Sequence, residues 1–129
     1  TPYFEYIAPM VYPSHYPRGF NGYPNPNEHV YGVVKYSMDR AVERVTATTT
    51  NIASLAYKRI GTTTPTIYAK PGRDPNVLRP WLQDFDYGGN YGPVEVRAQI
   101  QATYDAGLNS WMLWAPSNHY TIEALEPSN

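Results

Sequence analysis

Two carboxylates, an amide and several aromatic rings crowd into one short stretch, Trp81-Leu82-Gln83-Asp84-Phe85-Asp86-Tyr87. Its apolar start reads as a buried strand and its polar end as the loop that strand delivers, which sets chemistry on a rigid support. Asp84 is the catalytic candidate, because a carboxyl group held at a strand end can act as acid, base or charge stabiliser. A carboxylate that merely braces the following loop accounts for the same residue equally well. Two other stretches carry comparable groups: Tyr12-Pro13-Ser14-His15-Tyr16 and Trp114-Ala115-Pro116-Ser117-Asn118-His119. Ser14 beside His15 is no nucleophilic triad, since neighbouring residues supply no base and orienter geometry. The spacing of His15, His29 and His119 fits no metal site, and no cofactor is expected. Asp86 to Asn90 offers too few oxygen ligands for calcium, and Gly88-Gly89 is explained by turn geometry rather than by a phosphate-binding loop.

The elements that must position these groups follow from periodicity. Tyr6 to Tyr12 is a short apolar run that suits a strand covered on both faces, with Pro9 as a break in its ladder. The loop from Pro13 to Asn27 is long enough to call for a function, and Tyr16, Phe20 and Tyr23 argue for order within it. Val30, Val34, Met38, Ala41 and Val45 recur at helical spacing, and a second helix is expected from Ile52 to Ile60. Residues 61–76 read as an irregular insertion. The second strand runs from Val77 to Phe85. A helix then starts at Pro93 with Gly92 as N-cap, buries Val96, Ile100 and Tyr104, and stops before Gly107. The third strand is Ser110 to Ala115, and Thr121 is placed to cap another helix.

Strands alternating with helices mean parallel pairing, so the fold class is α/β, a parallel βαβαβ(α) segment with its site at the strands' carboxyl ends. Alternation turns Leu78 and Leu82 toward the helices and Arg79, Trp81 and Gln83 to the other face, leaving Asp84 outward unless the strand bends. Tyr12 shares the inward face with Ala8 and Met10. By this rule Gln83 is a cleft residue in its own right.

Composition limits the partners. The chain has 129 residues, a net charge of −1 and no cysteine, with charged residues at only 16%. No basic run is present to track a phosphate backbone, so nucleic acid is not an expected partner. No stretch approaches the ~20 apolar residues of a membrane span, and no membrane partner is expected. Thr1 opens without a charged-then-apolar leader; the expectation is a soluble cytosolic chain, or one whose targeting segment was removed or lies upstream. The unusual counts are 13 Tyr, 3 Trp and 13 Pro. Rings with polar tips suit clefts in which sugar faces stack and hydroxyls hydrogen-bond, although cores and interfaces use them too.

Three ordered motifs carry a resemblance. They are Tyr6-Ile7-Ala8-Pro9-Met10-Val11-Tyr12-Pro13-Ser14-His15-Tyr16, Arg79-Pro80-Trp81-Leu82-Gln83-Asp84-Phe85 and Ser110-Trp111-Met112-Leu113-Trp114-Ala115-Pro116-Ser117-Asn118. Together they resemble the putative glycosyl hydrolase domain family of bacterial (β/α)8-barrel proteins. The resemblance implies that residues 1–129 are a single partial domain, the last three strands of a TIM barrel, since such a barrel needs ~250 residues. It implies a polysaccharide or oligosaccharide partner, with Asp84 as the catalytic carboxylate. Tyr12, His15, Tyr16, Trp81, Gln83, Asp86, Trp114 and Asn118 would hold carbohydrate. It also implies a second acidic strand end, an aspartate-tyrosine motif upstream of Thr1, an extracytoplasmic or cell-surface location, and a chain inactive by itself. Three parallel strands leave two open edges, which favour a homo-oligomer or pairing with a missing N-terminal half. The sequence departs from the family in its longer segment between Arg44 and Asn76 and in Ala115, where asparagine is expected.

Overall fold

The computed structural model describes residues 4–47 and 71–125. Three extended segments lie side by side in parallel. Strand β1 (Trp81–Gln83) and strand β2 (Met112–Trp114) pair in the register Trp81↔Met112, Leu82↔Leu113 and Gln83↔Trp114. On the other side of β1 lies the stretch from Ile7 to Met10, held by parallel bridges Ile7↔Leu78 and Met10↔Trp81. The spatial order therefore repeats the order in sequence, and helices separate the segments as an α/β chain requires.

Each segment is shorter than its apolar run, and two prolines explain most of the loss. Ile7 N donates to Val77 O at 2.7 Å and Val11 N to Trp81 O at 3.1 Å. The step between them belongs to Pro9, which has no N–H to give, so a ladder is reduced to two bridges. Pro80 does the same on the opposite edge of β1. Its carbonyl accepts Met112 N at 2.9 Å, but it returns no donor. Ahead of β1, Pro75–Val77 forms a 3-10 turn in place of strand, because Asp74 accepts Asn76 N at 2.8 Å and fixes the turn locally.

Helix α1 (Val30–Thr46) and helix α2 (Pro93–Asp105) cover one face of this sheet and pack on each other. Their buried stripes meet β1 in a core built from Val11, Val34, Met38, Leu78, Leu82, Val96, Ile100, Ala102, Leu108 and Ala124. α1 buries Val30, Val33, Val34 and Met38, while Ala41 and Val45 are only partly covered. In α2 the expected stripe is turned by one position. Thr103 is buried and Tyr104 is exposed, since positions 96, 99, 100 and 103 complete the face that meets the sheet. Tyr104 lies at the helix rim, where its hydroxyl accepts Trp111 Nε1 at 3.0 Å. Gly92 starts α2 by donating its N–H to the Glu95 carboxylate at 3.1 Å.

The long loop after the first segment is ordered by three 3-10 turns, Pro13–His15, Phe20–Gly22 and Pro26–Glu28. At the other end of the chain the helix expected after Thr121 is a 3-10 turn, Ile122–Leu125, seated against α2. The helix expected at 52–60 and most of the insertion expected at 61–76 lie outside the described residues.

Candidate functional site

All three exits leave the sheet at its carboxyl end, and side chains lace them together. Gln83 is the knot. Its Oε1 accepts Ser14 N at 3.2 Å and Ser14 Oγ at 2.9 Å, and its Nε2 donates to Phe85 O at 3.0 Å. Its backbone is held from below by Gln99 of α2: Gln83 N donates to Gln99 Oε1 at 2.9 Å and Gln99 Nε2 donates to Gln83 O at 2.8 Å. Both glutamines are fully buried, so the two bonds between them are made away from competing water. The amide thus fixes the first exit to the second.

Asp84 does for the third exit what Gln83 does for the first. Its N–H donates to Trp114 O at 3.0 Å, and its carboxylate accepts Thr121 N at 2.8 Å and Thr121 Oγ1 at 2.6 Å. The residue is 4% exposed, and both of its carboxylate oxygens are taken up by Thr121 of the third exit. Asp86 is the more open carboxylate. It is exposed and accepts Tyr91 N at 2.7 Å, which fixes the turn ahead of α2.

Above these braces lies a surface of rings. His15 meets Tyr12 edge-on at 5.3 Å and Tyr87 at 6.2 Å, while Phe85 closes on Tyr12 at 5.6 Å. Such edge-to-face pairs are favourable beyond the area they bury. Tyr12 is buried, and burial raises its phenol above the ordinary value, with Tyr120 contributing a smaller push. His15, Tyr87 and Tyr120 are exposed. On the sheet itself, Trp81 meets Trp114, the partner of Gln83 in the register, edge-on at 6.0 Å.

The structure therefore brings together Tyr12, His15 and Gln83 in one group and Trp81 with Trp114 in another. It does not bring Tyr16 into either. The Tyr16 hydroxyl lies 3.0 Å from Ser37 Oγ of α1, and its ring packs on Phe20 at 4.3 Å. Asn118 is exposed on the third exit, where it adopts φ +58 and donates its N–H to Ala115 O at 3.0 Å. Four participants escaped the sequence reading. Phe85 follows the two polar groups directly and could have been read as part of the ring cluster. Gln99 sits inside the apolar stripe of α2, and a polar residue there signals a buried partner. Tyr120 carries no local signal, and Thr121, placed by the sequence as a helix cap, gives no sign that it meets Asp84.

Beside the rings, a cavity of about 490 Å³ opens between Asn25, Asn27 and Glu28 and the turn Gly88-Gly89-Asn90. The glycines are needed here, since a Cβ on Gly88 (φ +67) would sit 2.9 Å from Asn27 Nδ2. Asn27 in turn accepts the Tyr91 hydroxyl at 2.6 Å. No group of three or more His, Cys, Asp or Glu side chains suited to a metal ion occurs among the described residues. The stretches Tyr12 to Tyr16, Gln83 to Tyr87 and Trp114 to His119 carry two aspartates and two histidines, and Arg18 follows in the first loop.

Comparison with known proteins supplies the class. No curated protein and no solved structure matches the chain. The model of a family described as a putative glycosyl hydrolase domain matches residues 1–120, which include every residue of the laced exits through Tyr120. The chain belongs to the putative glycosyl hydrolase domain family.

Proposed function

We propose that this chain forms the C-terminal portion of a (β/α)8 barrel that hydrolyses glycosidic bonds in polysaccharide, and that it is inactive by itself. The observation that carries the reading is the convergence of three parallel exits on one end, with rings presented above a hydrogen-bonded floor. Barrel enzymes build their sites at this end of the strands. Tyr12, His15, Tyr16, Trp81, Gln83, Asp86, Trp114 and Asn118 are the carbohydrate-holding set in this reading. Tyr87 and Tyr120 join them as stacking surfaces.

Asp84 is the proposed catalytic carboxylate of the set. Hydrolysis of a glycosidic bond uses two carboxyl groups, about 5–5.5 Å apart for retention or 6.5–9.5 Å for inversion. The partner carboxylate would come from another strand end of the barrel. Incubation of the intact encoded protein with a panel of polysaccharides tests the reading: reducing ends released by the parent and reduced at least a hundredfold in Asp84→Asn support it. Binding without release removes the enzyme and leaves a carbohydrate-binding half-barrel that self-associates. That second reading has its own observation, since both Asp84 oxygens are occupied by Thr121.

A further inference from the structure

Among the described residues, the sheet face that points away from the helices is only partly covered, with Arg79, Trp81 and Met112 half-buried and Met10 exposed. Paired residues share a face, so Met10, Trp81 and Met112 point the same way, and Trp114 joins them through its ring contact with Trp81. Met10 is 70% exposed and Trp114 45% exposed. One cation sits on this apolar face. The Arg79 guanidinium lies 3.8 Å from the centre of the Tyr6 ring, and its Nε donates to Ser110 Oγ at 3.2 Å. Its two terminal nitrogens have no hydrogen-bond partner among the described residues.

Parallel sheets are covered on both faces, and an unpartnered guanidinium is costly to take out of water. A layer that covers Met10 must therefore also satisfy Arg79. The planar fork of a guanidinium matches a carboxylate with two parallel bonds. A second copy of this chain lacks that group, for its own equivalent face offers Tyr6, Ala8, Met10, Arg79, Trp81, Met112 and Trp114. We propose that the face is closed by further strands of the barrel that present an Asp or Glu carboxylate to the terminal nitrogens of Arg79. This rests on the barrel reading of the preceding subsection. The pair lies toward the amino ends of the strands, away from the exits, and fixes how the two parts of the barrel meet.

Two measurements on the intact encoded protein separate this pair from the barrel itself. The first is peroxide oxidation of Met10. Covered by strands, it forms sulfoxide at least tenfold more slowly than in the urea-unfolded protein; oxidation at the unfolded rate overturns both the barrel and the pair. The second is the melting temperature of Arg79→Met against the parent between pH 7.5 and pH 5. Removing the cation strands a buried carboxylate, whose pKa rises, so it takes up a proton as pH falls toward 5. The parent's paired carboxylate has a lowered pKa and keeps its contribution over that range. The variant's deficit is therefore expected at roughly 8 °C at pH 7.5 and at less than half of that at pH 5. Tyr6 and Ser110 are the side chains recorded against Arg79, and neither changes charge in this window. A deficit independent of pH, with Met10 protected, means that Arg79 only packs on Tyr6 and overturns the pair while sparing the barrel. If Arg79→Met fails to fold, Arg79→Lys keeps the charge and is expected to show a smaller, pH-independent deficit; a deficit that grows toward pH 7.5 overturns the pair.

Discussion

The two faces of one small sheet are finished differently. Toward the helices, Leu78 and Leu82 disappear into a core shared by α1 and α2. On the reverse face, Met10, Trp81 and Met112 are just as apolar, but Met10 is exposed and the other two are only half-buried. Strand alternation drew both faces from the same strands, and both are apolar, so hydrophobicity does not set them apart. The difference lies in what else is present to cover them. The proposed covering layer would close a face that is apolar, aromatic and carries the Arg79 guanidinium.

Substitution should break this symmetry most sharply at paired positions. Leu82 is 0% exposed, and Leu82→Ala leaves a cavity expected to cost about 3–4 kcal/mol by urea denaturation. Met10→Ser, on the open face, should cost less than about 0.5 kcal/mol in residues 1–129 studied alone. Equal losses at the two sites would show that both faces are covered and end the contrast.

Next in size is the polar knot that joins the closed face to the exits. Gln99→Leu keeps the volume but strips Gln83 of both backbone partners. Orphaning a buried N–H and a buried C=O should cost about 2–4 kcal/mol. Gln99→Glu tests the geometry, because a carboxylate accepts from Gln83 N but cannot donate to Gln83 O. It should therefore recover only part of the loss at neutral pH.

Much of this was legible before any coordinates. The 3.6-residue period of Val30 to Val45 names α1, and Pro93 with Gly107 brackets α2, because local propensity and packing agree there. Alternation also predicts that Leu78 and Leu82 turn toward the helices, and both are buried in the core. The shortening of the strands was half visible: Pro9 is an obvious break, yet the effect of Pro80 depends on which neighbour its missing N–H should have faced. The lacing of the exits was not legible. Ser14 and Gln83 are 69 positions apart, as Asp84 and Thr121 are 37 apart, and no period connects such pairs. The shift from Tyr104 to Thr103 has the same origin, since the angle at which α2 meets the sheet decides which of two adjacent residues is buried.

A smaller effect is expected at Tyr91, which is tied to Asn27 of the cavity wall. Tyr91 is 4% exposed and donates to Asn27 Oδ1 at 2.6 Å, and burial raises its phenol pKa. Tyr91→Phe should cost about 1 kcal/mol at pH 7. A raised phenol pKa means the folded state holds its proton more tightly than the unfolded chain. Its contribution is complete below the ordinary tyrosine value and is lost as pH rises above it. The parent should therefore lose stability above about pH 10 faster than Tyr91→Phe, and the two denaturation curves should converge there. Parallel curves would mean that Tyr91 reaches water readily.

The smallest effect belongs to the outer rim of the closed face. The Tyr31 hydroxyl of α1 donates to Asp105 Oδ2 of α2 at 2.8 Å, and Gln101 Nε2 donates to Asp105 Oδ1 at 2.8 Å. The hydrogen bond from Tyr31, followed by that from Gln101, lowers the Asp105 carboxyl below its ordinary value. A lowered folded pKa gives stability that is present above the unfolded value and is lost as pH falls through the folded one. Water reaches this pair, so Tyr31→Phe should leave the melting temperature at pH 7 nearly unchanged. The carboxyl pKa of Asp105, followed by NMR, should nonetheless rise toward the ordinary range. A fall in melting temperature as large as that of Tyr91→Phe would show that α1 and α2 are joined at their rim as well as through the core. The helices that close one face of the sheet would then owe part of their alignment to polar bonds outside it.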